Sequence, residues 1–322
     1  MDINDETLKA DINNLLTSLK NLLPKKKDIP FIKIQPRARM TRLSDVHLEA
    51  KTVFPNCFLG AKVVVLRRVM DRLKLVQEYN FGKQKDTYKS FEQLLQKEME
   101  PKPDGKITID LAGAITASYT ERIDGGYEMR LTSKIRDIIS SDTELLFERT
   151  AEKSVGSIGF SLKDIDPTNM KVVTQYIHKV YPGCSLGTEI SFRPLSYPIV
   201  PEYSLSARYE RPSFVVSSTV AKTGFQICLY KQFAPGLGIA TVVNEGHRGG
   251  PAILGFALQK QYDNGSELKI FVDSQRCGGF TLQKDVVFQE HSADDRVLRL
   301  VASTLIDRQR RVRLGFGFNL DF

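Results

Sequence analysis

The sequence predicts an all-β protein, a transmembrane β-barrel of about nineteen strands with N-terminal helices. Three observations carry that prediction. From Gly60 to the end, apolar side chains recur at every second position, the period of a strand. No window approaches the ~18 apolar residues of a membrane helix. The mean hydropathy, −0.24, is still compatible with a barrel, whose strands alternate lipid-facing and water-facing residues. Finally, the closing stretch "RVRLGFGFNLDF" sets Val312, Leu314, Phe316, Phe318 and Leu320 on one face and Arg311, Arg313, Gly315, Gly317 and Asn319 on the other. In water that apolar strand would be a sticky sheet edge. It makes sense if its face meets lipid or a dry core and the strand closes something.

The elements follow in order. Leu8, Ile12, Leu15, Leu19 and Leu22 recur at helical spacing, so residues 2–23 are expected to form an amphipathic helix that Pro24 ends. Docking on a partner or membrane and packing on its own domain both fit this helix. Residues 24–43, with three prolines and many charges, read as an extended basic segment. Ser44 is placed as the cap of a short helix over 44–55, stopped by Pro55.

The barrel is expected over 60–322. "KITIDL" puts Ile107, Ile109 and Leu111 on one face, and "YEMRLT" does the same with Tyr127, Met129 and Leu131. "TEISF", "GFQICLY", "ELKIFVD" and "RVLRLVAS" repeat the pattern. Turn signals separate them: "DGG" at 124–126, "PG" at 182–183, "RP" at 211–212, "PGLG" at 235–238, "DNG" at 263–265 and "SADD" at 292–295. A spacing of roughly 14 residues per strand and turn gives the count of about nineteen. Within 82–103, "FEQLLQKEM" fits a helix as well as a strand. A barrel this wide encloses water, so inward positions should be polar. Asp110, Glu128, Arg130, Glu189, Arg208, Gln226, Glu267, Lys269 and Asp273 all fall opposite the apolar faces.

Charge and chemistry exclude other classes. Of the formal net charge of +8, the tract "PKKKDIPFIKIQPRARMTR" carries +6, from seven Lys or Arg and one Asp. Basic character is therefore local. It predicts no nucleic-acid partner, and the tract suits anionic lipid, an acidic partner or plain solvation. Cys57, Cys184, Cys228 and Cys277 form no CxxC and read as free thiols. The acidic start "MDINDETLKADINN" is neither a secretory signal nor a transit peptide. His47, His178, His247 and His291 form no ligand pair, and "HSADD" reads as a hairpin turn. "NEGHRGGP" lacks the GK[ST] of a phosphate loop, and "PGLGIATVV" lacks the third glycine of a dinucleotide fingerprint. No catalytic residues, metal site or cofactor are expected.

Two stretches carry a family resemblance. Arg313, Gly315, Phe318 and Leu320 fit the polar-x-Gly-x-x-hydrophobic-x-hydrophobic sorting signal in the last strand of mitochondrial outer-membrane barrels. "DVHLEAKTVFPNCFLGAKVVV" resembles the start of the channel subunit of the translocase of the outer mitochondrial membrane. There a short helix with His and Lys runs through Phe-Pro into Gly-x-Lys and the first strand, here His47, Lys51, Phe54, Pro55, Gly60 and Lys62. "LGTEISFRP", "FQICLYKQF" and "SELKIFVDSQRCGGFTLQKDV" resemble later strands of that family. The resemblance spans roughly 45–322, is weak between 82 and 180, and does not reach the first 44 residues. The sister voltage-dependent anion channels usually lack the Phe-Pro and have a shorter N-terminal segment, which favours the translocase.

The resemblance implies an odd-numbered barrel, with 61–68 parallel to 311–320, the short helix inside the wall, and residence in the mitochondrial outer membrane. It implies passage of unfolded precursor proteins, with small helical subunits and receptors as partners, lipid on the outer face, and homo-oligomers within a larger complex. Presequences are basic amphipathic helices, so acidic lumen residues would bind them. The candidates are Asp110 and Glu128, placed on adjacent strands, then Glu189, Glu267 and Asp273. A metabolite channel is the alternative, and a tethering barrel without transport a third reading.

Overall fold

The computed structural model describes residues 42–70, 73–81, 105–110, 113–136, 140–164, 166–246, 252–288 and 296–321. Expectations for residues 2–23, 24–41 and 82–103 and for the turn at 292–295 lie outside them. Among the described residues the alternating segments form eighteen strands in one closed sheet. They are β1 (Gly60–Met70), β2 (Leu73–Phe81), β3 (Gly105–Asp110), β4 (Ile115–Ile123), β5 (Tyr127–Ile135), β6 (Ser141–Thr150), β7 (Ser154–Lys163), β8 (Lys171–Tyr181) and β9 (Cys184–Phe192). The other half is β10 (Glu202–Arg211), β11 (Phe214–Ala221), β12 (Gly224–Ala234), β13 (Leu237–Gly246), β14 (Ile253–Gln261), β15 (Ser266–Asp273), β16 (Gly278–Phe288), β17 (Arg296–Ile306) and β18 (Val312–Asp321).

Each strand pairs with its sequence neighbour, and β1 closes on β18 in parallel, with Gly60 opposite Gly315 and Val65 opposite Leu320. The expected parallel seam is present. Strand direction reverses at every antiparallel contact, so a closed ring needs an even number of them. Eighteen strands with a parallel seam therefore require a second parallel pair. That pair is β2 with β3, Leu73 opposite Gly105 through Glu78 opposite Asp110.

The apolar faces point outward. Tyr127, Leu131, Ile227, Leu229, Ile270 and Val272 are all exposed on the outer surface, as are Val312, Leu314, Phe316 and Phe318 of the closing strand. With hydrocarbon outside and water within, closure leaves no sheet edge in lipid. Tight turns join the strands. At Gly183 (φ +82°) a Cβ would fall 2.6 Å from the Glu210 carbonyl oxygen, so this turn between β8 and β9 needs glycine.

Before the barrel, a 3₁₀ turn (Leu43–Asp45) leads into helix α1 (Leu48–Val53). The expected cap is corrected. His47, not Ser44, is the residue before the helix, and it makes no side-chain cap bond; the Ser44 hydroxyl donates to Asp45 instead. Phe54 is already extended (φ −69°, ψ 133°), the conformation a following proline imposes. Helix α1 rests on the inner side of β12, β13 and β14.

Candidate functional site: the lumen and its helix

β18 ends at one rim, here termed the C-terminal rim, which also carries the β4–β5, β6–β7 and β14–β15 turns. β1 begins at the opposite rim. Between them the segment 42–59 threads the lumen, and its contacts descend the wall in sequence order.

Near the C-terminal rim, Arg42 donates from Nη2 to Glu128 Oε2 (2.8 Å) and from Nε to Glu148 Oε1 (2.6 Å). Burial alone would lower the pKa of Arg42, but Glu148 and Glu128 more than offset it and hold the guanidinium charged. Leu43 and Val46 then pack against Val155 and Ile177. The His47 ring lies between two hydroxyls, Nδ1 2.7 Å from Ser217 Oγ and Nε2 2.8 Å from Thr219 Oγ1. Burial, with the charges of Lys51 and Arg208, pushes this imidazole down to about 3, so it is neutral. A neutral ring has one donor and one acceptor, and the two hydroxyls can satisfy both.

Two residues on, Glu49 meets Arg208 of β10 in a two-pronged pair of 2.6 and 2.9 Å. Arg208 also donates to the Val46 carbonyl (2.8 Å) and to Glu210 (2.9 Å). Its side chain is 2% exposed. Ala50, Val53 and Phe54 pack into a cluster with Val215, Cys228, Tyr230, Ala240, Val242, Ala257 and Phe271. A six-residue helix is unstable alone. Burying its apolar side chains contributes roughly 1.5–3 kcal/mol each, so the wall is what makes it a helix.

At the far end Ser303 Oγ donates to the Phe58 carbonyl (2.7 Å) and accepts from the Phe58 amide. A Cβ at Gly315 would fall 2.6 Å from Ser303 Oγ and closer still to the Phe58 carbonyl. Glycine at 315 therefore lets residue 58 lie flat on the seam. Arg313 faces inward and pairs with Asp307 (2.9 Å).

The acidic candidates all face the lumen, but they do not converge. The placement of Asp110 and Glu128 on adjacent strands is overturned: β4 lies between β3 and β5. Asp110 sits at the β3–β4 turn and Glu128 near the β4–β5 turn, at opposite ends of a nine-residue strand, roughly 25–30 Å apart. The strand was missed because Glu121 breaks its apolar outer face; there the Tyr119 hydroxyl donates to Glu121.

Glu128 is held by Arg42 and by Arg130 (2.7 Å). Glu189 accepts from Gln175 (2.7 Å), and Glu267 accepts from Gln259 and Gln261 and pairs with Lys269. Asp273 accepts the amides of Gln275 and Cys277, which makes it a turn brace. Glu148, Arg42 and the Glu49–Arg208 pair were not singled out by the sequence. The Arg208 position was read as inward, but alternation gives no partner for it.

The chain is similar to the mitochondrial import receptor subunit TOM40 homologue of Caenorhabditis elegans, 23% identical over 264 residues, covering 77% of this chain and 85% of the relative. The corresponding protein of Caenorhabditis briggsae matches with the same identity and coverage. The eukaryotic porin model matches residues 39–290, from the segment that enters the lumen through sixteen strands of the wall. With its closed sheet, parallel seam and inner helix, the chain belongs to the eukaryotic porin family.

Proposed function

We propose that this barrel is a protein-conducting channel of the mitochondrial outer membrane, through which unfolded precursor polypeptides pass. The observation that carries the reading is the match to import receptor subunits over 85% of their length. The wall supports it: α1 covers one arc of the lumen and leaves the other lined by Glu, Arg, Ser and Thr, a surface that holds basic segments weakly. Asp110, Glu128, Glu189 and Glu267 are the residues proposed to meet presequences. Asp273, engaged by two amides, has the weakest case.

Translocase membership would bring receptors and small helical subunits against the exposed outer face, and further copies of the barrel. The test is single-channel recording of the reconstituted protein with a basic amphipathic presequence peptide. Transient block, strongest at low salt, is expected. Block by small anionic metabolites and none by the peptide would instead make this a metabolite channel, and a silent protein would leave only the tethering reading.

Arg313, Gly315, Phe318 and Leu320 are proposed as the signal that assembly factors read. Phe318→Gln with Leu320→Gln places two polar groups toward hydrocarbon. The precursor should then be made but not assembled on a blue-native gel, while Asn319→Gln on the lumen face assembles. Normal assembly of the double variant would sink the assignment.

A further inference from the structure

Glu128 and Glu148 stand directly opposite one another on β5 and β6, both inward, with side chains 14% and 5% exposed. Like charges directly opposite across a strand pair are unfavourable. Arg130 engages one oxygen of Glu128. The other oxygen of Glu128 and one of Glu148 are taken by Arg42, a separate guanidinium nitrogen for each carboxylate. That is the forked geometry of arginine, which a lysine ammonium cannot reproduce. Arg42 is not part of the wall. It is delivered by the segment ahead of α1, and its side chain is 27% exposed, so the contact can open to lumen water without opening the barrel. The tract that ends at Arg42 has the composition of a basic presequence, with seven Lys or Arg against one Asp.

We infer that Glu128 and Glu148 form a guanidinium-binding site on the lumen wall, one that takes arginine side chains of a polypeptide in transit, and that Arg42 is a tethered competitor filling it while the pore is idle. The inference rests on the polypeptide-channel reading. It adds a ligand class, a pair of carboxylates and an occupant that must leave before cargo binds. A peptide arginine that displaces Arg42 exchanges one forked pair for another, so the wall never faces two bare carboxylates.

The test compares wild type, Arg42→Gln and Arg42→Gln with Glu148→Gln, each full length in planar bilayers. The probes are an arginine-rich amphipathic peptide and its all-lysine counterpart. Removing the competitor should raise the frequency of block by the arginine peptide on the order of five- to tenfold at low salt. The gain should be smaller for the lysine peptide and lost in the double variant. Proteolytic protection of α1 is measured in parallel. Block in wild type with no gain in Arg42→Gln overturns this inference and leaves the channel reading standing. A gain that survives Glu148→Gln, or that accompanies loss of α1 protection, overturns it too, because Arg42 would then be an anchor. No block by either peptide in any form overturns both.

Discussion

The lumen wall has two arcs that obey different rules. Under α1, the inward positions of β11 to β15 include Val215, Cys228, Tyr230, Ala240, Val242, Ala257 and Phe271, which form a buried apolar surface. Across the pore, β4 to β9 present Thr120, Glu128, Glu148, Ser157, Gln175 and Glu189, with one apolar spot, Val155 and Ile177, where Leu43 and Val46 lie on the wall. Both arcs face outward with the same apolar side chains. The inner face of a wide barrel is therefore not polar by rule: it is core-like where the apolar face of α1 packs on it. Even the charges differ in use. Arg208 on β10, at the edge of the covered arc, is sealed between Glu49, Glu210 and a carbonyl, whereas Arg130 and Glu128 in the open arc line the passage.

Changing charges in each arc should expose that contrast. The largest effect is expected from Arg208→Met, which strands Glu49 and the Val46 carbonyl in a buried place. Breaking such a pair costs about 3–5 kcal/mol, enough to release α1. Protease cleavage near Lys51 and a higher open conductance would report it; an α1 still protected would show that apolar packing alone holds the helix.

Acidification should act next, on the docking of α1. Docked, His47 has its pKa pushed down to about 3 against an ordinary value of 6.5. Between those values the undocked form binds the extra proton. Docking is thus at full strength above pH 6.5 and weakens as pH falls toward 3, by a few kcal/mol at most. Protection of α1 followed from pH 7 to pH 4 should show the decline, and His47→Gln should flatten it. The smallest effect is expected from Glu189→Gln in the open arc. Thermal unfolding should shift by an amount equivalent to less than ~1 kcal/mol, while reversal-potential measurements show reduced cation preference. A large loss of stability there would mean the open arc is built like the covered one.

The same contrast explains what the sequence showed. Period-two alternation placed Val312 through Leu320 outward and every acidic candidate inward, because one side of each strand always meets hydrocarbon. It is blurred where an inward position is apolar, as in "GIATVVN" of β13, where Ala240 and Val242 pack on α1 and both faces of the strand are largely apolar. It failed for β4, whose outward Glu121 disguises the strand and made Asp110 and Glu128 look like neighbours. Alternation tells which way a residue points and nothing about what stands opposite. Glu148 was therefore not legible as the partner of Glu128, nor Arg42 as the group between them. Helix α1 was legible from Phe54-Pro55 and from its resemblance to a known motif. Its grip on Arg208, a contact across 159 residues, has no local signature.

The parallel seam has a consequence in time. Gly60 and Gly315 are partners separated by 255 residues, so the contact that closes the ring is nearly the most distant pairing in the chain. Bringing such ends together costs about 5 kcal/mol in loop entropy beyond a fixed term. Synthesis runs from the N-terminus, so β1 is made before the other strands and cannot meet β18 until all the strands between them exist. An unpaired edge is intolerable in hydrocarbon. Strand-by-strand insertion therefore requires something that covers the edge of β1 until β18 arrives to take its place.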